Sequence, residues 1–219
     1  MTVSTISYSP RKTRHRLVAA ACDEIWQGGF RAASLDRILD KAGVTKGALY
    51  YHFKNKLDLG YAVLDEVVRK MVLDVWVEPL HQAGDPIETL HQIIRNADAA
   101  FLGKKLQFGC PLNNLSQEMS SVDEGFRLRI KAIVQEWTDA ITVALAKGQN
   151  QGLVRQNVNL HHASIFIIAV IQGAAGMGKN ARDRSVVIPC LEGLGYYLDA
   201  LRPRCCFRDG ASKSKRPQP

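Results

Sequence analysis

Gly173, Gly178 and Lys179, within "IFIIAVIQGAAGMGKN", have the spacing of a phosphate-binding loop, two glycines separated by four residues and followed by lysine. Such a loop needs an apolar strand before it, a helix after it, and a Ser or Thr after the lysine to hold a magnesium ion. Asn180 stands at that hydroxyl position, and the 39 residues beyond it contain no apolar strand ending in aspartate. A nucleotide-binding enzyme built on Gly173 to Lys179 is one alternative. Read as a helix, the same stretch turns Ile165, Ile168, Ala169 and Gln172 inward, while Gly173, Ala174 and Gly176 let another helix come close. A helix apolar around most of its circumference must be covered on both sides, by its own domain and by a second subunit. Gly173 and Gly176 are therefore expected at a homodimer interface.

A second group of residues suits a polyanion. Lys46, Tyr50, His52, Lys54 and Lys56 place positive charge and hydroxyl or imidazole donors along one short stretch, "TKGALYYHFKNK". Gly47 and Ala48 are small enough to let the backbone approach base edges. The charge distribution agrees with this. Residues 1 to 60 carry ten Lys/Arg against five Asp/Glu and residues 202 to 219 six against one, whereas 61 to 201 carry thirteen against fifteen. A basic head and tail on a near-neutral body point to nucleic acid at the ends and a different task between them.

The elements that must position these residues are helices. Leu17, Ala20, Ala21 and Ile25 recur at helical spacing between Lys12 and Gly28, and Gly28-Gly29 ends the run. Ser34 caps a second helix with Leu35, Ile38, Leu39 and Ala42 on one face. Gly43 suits a left-handed helix end, and Thr45 caps a third helix immediately after it. Helices joined by so tight a turn cross steeply, which is helix-turn-helix geometry. Leu35, Ile38, Leu49 and Phe53 form its mini-core, and Tyr51 is left out of the contact residues.

"SLDRILDKAGVTKGALYYHFKNKLDL" resembles the DNA-binding segment of the TetR family of bacterial transcriptional regulators over about 50 residues. The resemblance implies that Thr45, Lys46, Gly47 and Ala48 read bases. It implies that Ser34, Tyr50, His52 and Lys56 hold phosphates of a double-stranded operator.

Further on, Leu57, Tyr61, Leu64, Val68, Met71 and Val75 mark one face of a long helix from Asn55 to about Leu80. The resemblance makes it the connecting helix that transmits ligand binding. Gly84-Asp85-Pro86 starts a helix to about Leu102. A short segment after Pro111 precedes a long helix, Ser121 to Gly148, with Phe126, Ile130, Ile133, Trp137 and Ile141 inward. Two more helices fit 160 to 178 and 184 to 201. In a bundle, a small-molecule site forms between facing helices, and its candidate liners are Trp76, Asp98, Cys110, Asn113, Trp137, Ile168 and Gln172. Cys110 precedes a helix whose N-terminal dipole favours a thiolate, which suggests a sensor of oxidants or electrophiles.

The reading is an all-α protein: an N-terminal three-helix helix-turn-helix DNA-binding domain plus a C-terminal helical-bundle ligand-binding and dimerisation domain. Residues 1 to 11 form a flexible arm, 12 to 56 the DNA-binding domain, 57 to 202 the ligand-binding and dimerisation domain, and 203 to 219 a basic disordered tail with Cys205 and Cys206. The longest apolar run, Ala163 to Ile171, falls short of the ~20 residues of a spanning helix, and the opening residues form no apolar signal. A cytoplasmic protein with no membrane partner is expected. Five irregularly spaced cysteines argue against a disulfide framework. No metal site, cofactor or catalytic residue is expected. The function expected is a ligand-responsive regulator, a repressor that binds a pseudo-palindromic operator as a dimer and is released by a small-molecule or electrophile effector; a constitutive architectural DNA-binding protein is the second alternative.

Overall fold

Pro10 starts the first helix, α1 (Pro10–Gly28), because its fixed φ suits a first turn and its missing N–H is not needed there. The computed structural model describes residues 9–101 and 106–203, the side chains of 97–101 excepted. Most of the N-terminal arm and the tail with Cys205 and Cys206 lie outside the described residues. Nine helices and no strand are present among those described.

In the head, α2 (Leu35–Ala42) and α3 (Lys46–His52) are each opened by the expected cap. The Ser34 Oγ accepts from the Arg37 N–H at 3.4 Å, and the Thr45 Oγ1 accepts from the Ala48 N–H at 3.3 Å. Gly43 between them is left-handed, with φ 59°, a conformation that costs glycine no Cβ clash. A side chain there would also collide with the Arg16 guanidinium, which donates to the Gly43 carbonyl.

Helix α4 runs continuously from 56 to 81, but two stretches, Val63–Val68 and Leu73–Val77, are wound wider than an α-helix. The wide turns rotate the inner face, so burial extends beyond the predicted stripe. Leu64 and Val68 are buried as expected, together with Leu59, Ala62, Val63, Val72, Trp76, Val77 and Leu80. Widened turns of this kind recur at functional sites.

The body continues with α5 (Pro86–Phe101), α6 (Pro111–Met119), α7 (Glu124–Asn150), α8 (Leu160–Ala181) and α9 (Ile188–Ala200). Helix α7 starts three residues later than the periodicity suggests because Asp123 is its cap. The Asp123 carboxylate accepts from the Phe126 N–H and from the Tyr61 hydroxyl, both at 2.8 Å. All five residues expected on the inner face of α7 are buried. Head and body share one apolar core running from Leu17 to Leu201. At their junction Phe30 of the head and Phe126 of α7 meet with ring centroids 4.8 Å apart, across Gly60.

Helix α8 is one unbroken helix through Gly173, Gly178 and Lys179. No strand precedes the two glycines and no loop lies between them, so the phosphate-loop reading is overturned. By length and composition α8 could cross a bilayer, with 28% of its apolar window buried within this chain. It instead packs against α7 and α9 and leaves a further apolar face open.

Candidate DNA-reading face and effector cavity

The inner side of α3 is fixed by Leu49 and Phe53, both buried and one helical turn apart. Its outer side is consequently polar and open. Thr45, Lys46 and Gly47 are exposed at its start, and Ala48 is half-buried. Tyr50 is 48% exposed and Tyr51 73%. Tyr51 is the contact candidate that sequence reading missed. Two residues past Leu49, it stands about 200° around the helix from the inner face, a signal the 100° step per residue contains.

Two of the residues expected to hold phosphates are already engaged, and a third is enclosed. The Lys56 ammonium donates to the Arg31 carbonyl at 3.1 Å and lies 4.9 Å from the Phe30 ring centroid. Burial pulls its pKa below the ordinary lysine value, against the opposing pull of Glu118 and Glu24. The Ser34 hydroxyl is spent on its cap, and its N–H donates to Glu24 at 3.2 Å. The His52 Nε2 is enclosed and has no hydrogen-bond partner. Tyr50, by contrast, stands open.

In the body an open cavity, about 850 Å³ with the solvent space at its mouth included, lies among α4, α6, α7, α8 and α9. Trp76 and Trp137, named from sequence, line it and pack together with ring centroids 4.9 Å apart. Cys110 lines it as well. The remaining wall is almost wholly apolar: Val68, Met71, Val72 and Val75 of α4, Leu112 of α6, Ile171 of α8 and Leu191 of α9 are representative. Among the described residues no charged side chain lines it. Sequence periodicity marked several of these as core residues, since a cavity wall and a filled core have the same pattern.

The other candidates sit differently. Ile168 is buried but not on the wall. Asn113 and Gln172 lie beside the cavity, where the Asn113 amide donates to the Gln172 carbonyl at 3.3 Å. The Gln172 Oε1 and the Trp137 Nε1 are buried without partners. Asp98 belongs to α5, but its side chain is outside the described residues.

Cys110 stands immediately before α6 as expected, yet its chemistry differs from the expectation. Burial pushes the thiol above its ordinary pKa and outweighs the Asn113 and Leu112 backbone N–H groups, which favour the thiolate. The helix N-terminus loses to desolvation.

At the C-terminal end α8 and α9 expose large apolar side chains: Ile165, Phe166 and Met177 on α8, Ile188 and Tyr196 on α9. Gly173 is on this open face, with empty space where a Cβ would be. Gly176, about 60° around the helix from Gly173, is half-buried, and a Cβ there would lie 3.6 Å from the Asn113 amide nitrogen.

Comparison with known proteins agrees with this architecture. Residues 17–63 match the family described as bacterial regulatory proteins, tetR family, and residues 86–187 match the tetracyclin repressor-like C-terminal domain. An uncharacterized HTH-type transcriptional regulator of Lactococcus lactis subsp. lactis is 29% identical over 82% of this chain and 90% of its own length. The transcriptional regulator AcuR of Cereibacter sphaeroides is 25% identical over 62% of this chain and 67% of its own length. Among solved structures, a TetR transcriptional regulator from Chloroflexus aurantiacus superposes with a TM-score of 0.78 at 23% identity, covering 87% of this chain and 96% of that one.

Proposed function

The chain belongs to the TetR family of bacterial regulatory proteins, which are DNA-binding transcriptional regulators and not enzymes, and on that premise we propose a repressor that binds a pseudo-palindromic operator as a homodimer in the cytoplasm. An uncharged, largely apolar small molecule filling the cavity releases it. The cavity's position carries this reading: its wall includes Val68, Val72 and Trp76 of α4, and the first turn of that same helix grips the head through Lys56. An occupant that pushes on α4 therefore tilts the reading head.

Thr45, Lys46, Gly47, Ala48, Tyr50 and Tyr51 form the contact surface. Ser34, His52 and Lys56 set its geometry and reach phosphate only after rearrangement. The open faces of α8 and α9, with Gly173, pair with those of a second copy. Two heads about 35 Å apart then read successive major grooves. Charge supports the ligand class, since a carboxylate or ammonium entering this cavity would lose its hydration and meet no countercharge among the described lining residues. By linkage, an effector that weakens operator binding is itself bound more weakly by the DNA-bound protein. A full switch from 99:1 to 1:99 needs about 5.5 kcal/mol of differential affinity.

Selection from a random pool of duplex DNA tests this function. The expected result is a palindromic consensus with half-site centres one helical turn apart. Recovery without sequence preference would overturn it in favour of an architectural binder.

A further inference from the structure

We infer that α6 is a clasp between the cavity and the reading head, in which Glu118 and Trp26 are positioning residues that hold the turn between α1 and α2 according to what the cavity contains. This rests on the effector reading of the cavity. It adds a route that does not pass along α4.

The two ends of the clasp are hydrogen-bonded to the head. At the far end of α6 the Glu118 carboxylate accepts from the Phe30 N–H at 2.8 Å and from the Arg31 N–H at 2.7 Å. These amides open toward α6 because Gly29 turns the chain with φ +86°, and a Cβ at Gly29 would sit 2.8 Å from the Glu118 Oε2. Bonds from backbone N–H to a carboxylate are charge-assisted and strong. Just before α6, the Gly109 carbonyl accepts from the buried Trp26 indole N–H at 2.8 Å.

The cavity touches the same element. Gly109, Cys110, Pro111 and Leu112 form part of its wall, and Pro111 also borders a smaller gap on the head side, shared with Trp26 and Glu118. Helix α6 is only nine residues long, so it moves as a rigid body. Displacing Pro111 or Gly109 from the cavity side must disturb the Trp26 bond, the Glu118 pair, or both. The turn so held is also gripped by Lys56 through the Arg31 carbonyl. The clasp and the start of α4 thus act on one short segment, from which α2 and α3 follow directly.

Substitution Ala175→Phe, which adds a ring to the cavity wall, serves as the occupant. Operator affinity is measured on the selected consensus, and folding is monitored by thermal melting. In the otherwise unchanged protein Ala175→Phe is expected to weaken operator binding at least tenfold; with Glu118→Ala and Trp26→Phe also present, less than threefold; with Glu118→Gln, which retains one acceptor, in between. Equal weakening in all backgrounds overturns the clasp while leaving the cavity reading intact. No weakening in the unchanged background overturns the cavity reading, and the clasp with it. A second readout needs no clasp variant: Ala175→Phe should speed hydrogen exchange at the Phe30 and Arg31 amides at least fivefold and leave the Gly43 amide unchanged. Unaltered exchange at Phe30 and Arg31 would also refute the clasp.

Discussion

The head and the body use apolar residues in opposite ways. In the head, Leu17, Ile38, Leu49 and Phe53 fill the space between three short helices, and what remains outside is a polar face. In the body the helices are longer and more apolar, yet they leave a cavity between them and an open apolar face on α8 and α9. A small domain that reads a rigid duplex gains from having one shape. A bundle that must accept a ligand and a second subunit needs unsatisfied surface, and it holds that surface at two separate places.

Four experiments bear on this contrast. The largest effect belongs to the filled head: Leu49→Ala should cost about 2–5 kcal/mol of stability, the range for a fully packed leucine, read by chemical denaturation. A cost below about 1 kcal/mol would mean the head is not the rigid partner. Next, Ile165→Glu with Tyr196→Glu places charges on the open face without touching the core. Sedimentation should then show a monomer, and operator affinity should fall about a hundredfold, as expected when two linked heads become independent. A surviving dimer would move the interface elsewhere.

The third experiment concerns Cys110. The nucleophile is the thiolate, and a raised pKa keeps the thiol protonated at neutral pH. Alkylation of the Cys110 peptide by a neutral maleimide, followed by mass spectrometry, should therefore accelerate about tenfold per pH unit from pH 7 and keep rising beyond 9.0, the ordinary value. A plateau near neutrality would restore the activated cysteine that the position before α6 suggested. The smallest effect separates two tryptophans. Both substitutions remove a comparable ring volume, but Trp26→Phe also strands the Gly109 carbonyl whereas the Trp137 indole N–H has no partner, so Trp26→Phe should cost about 1–3 kcal/mol more than Trp137→Phe. Equal costs would mean that Trp137 is satisfied in solution.

Much of the head was legible because its signals are local. Ser34, Gly43 and Thr45 act on backbone within three residues, and each is found at its expected cap or turn. Asp123 shows the limit of periodicity: apolar spacing locates the face of α7, while a side-chain cap decides where it begins. In the body the same spacing does not distinguish filled core from cavity wall, so it marks Ile168, which is core, as a liner and passes over Val68, Val72 and Leu191.

The sequence by itself determined the helical class, the order of the helices, the polar face of α3 and the apolar excess of α8, since each depends on residue type and a spacing of a few positions. Tertiary structure decided which apolar residues meet nothing, that Lys56 and His52 turn inward, that Gly176 faces Asn113, and that burial overrides the helix dipole at Cys110. Those outcomes depend on residues from distant parts of the chain. Glu118 shows this most directly: nothing near it in sequence shows that its carboxylate will hold Phe30 and Arg31, 88 and 87 residues away.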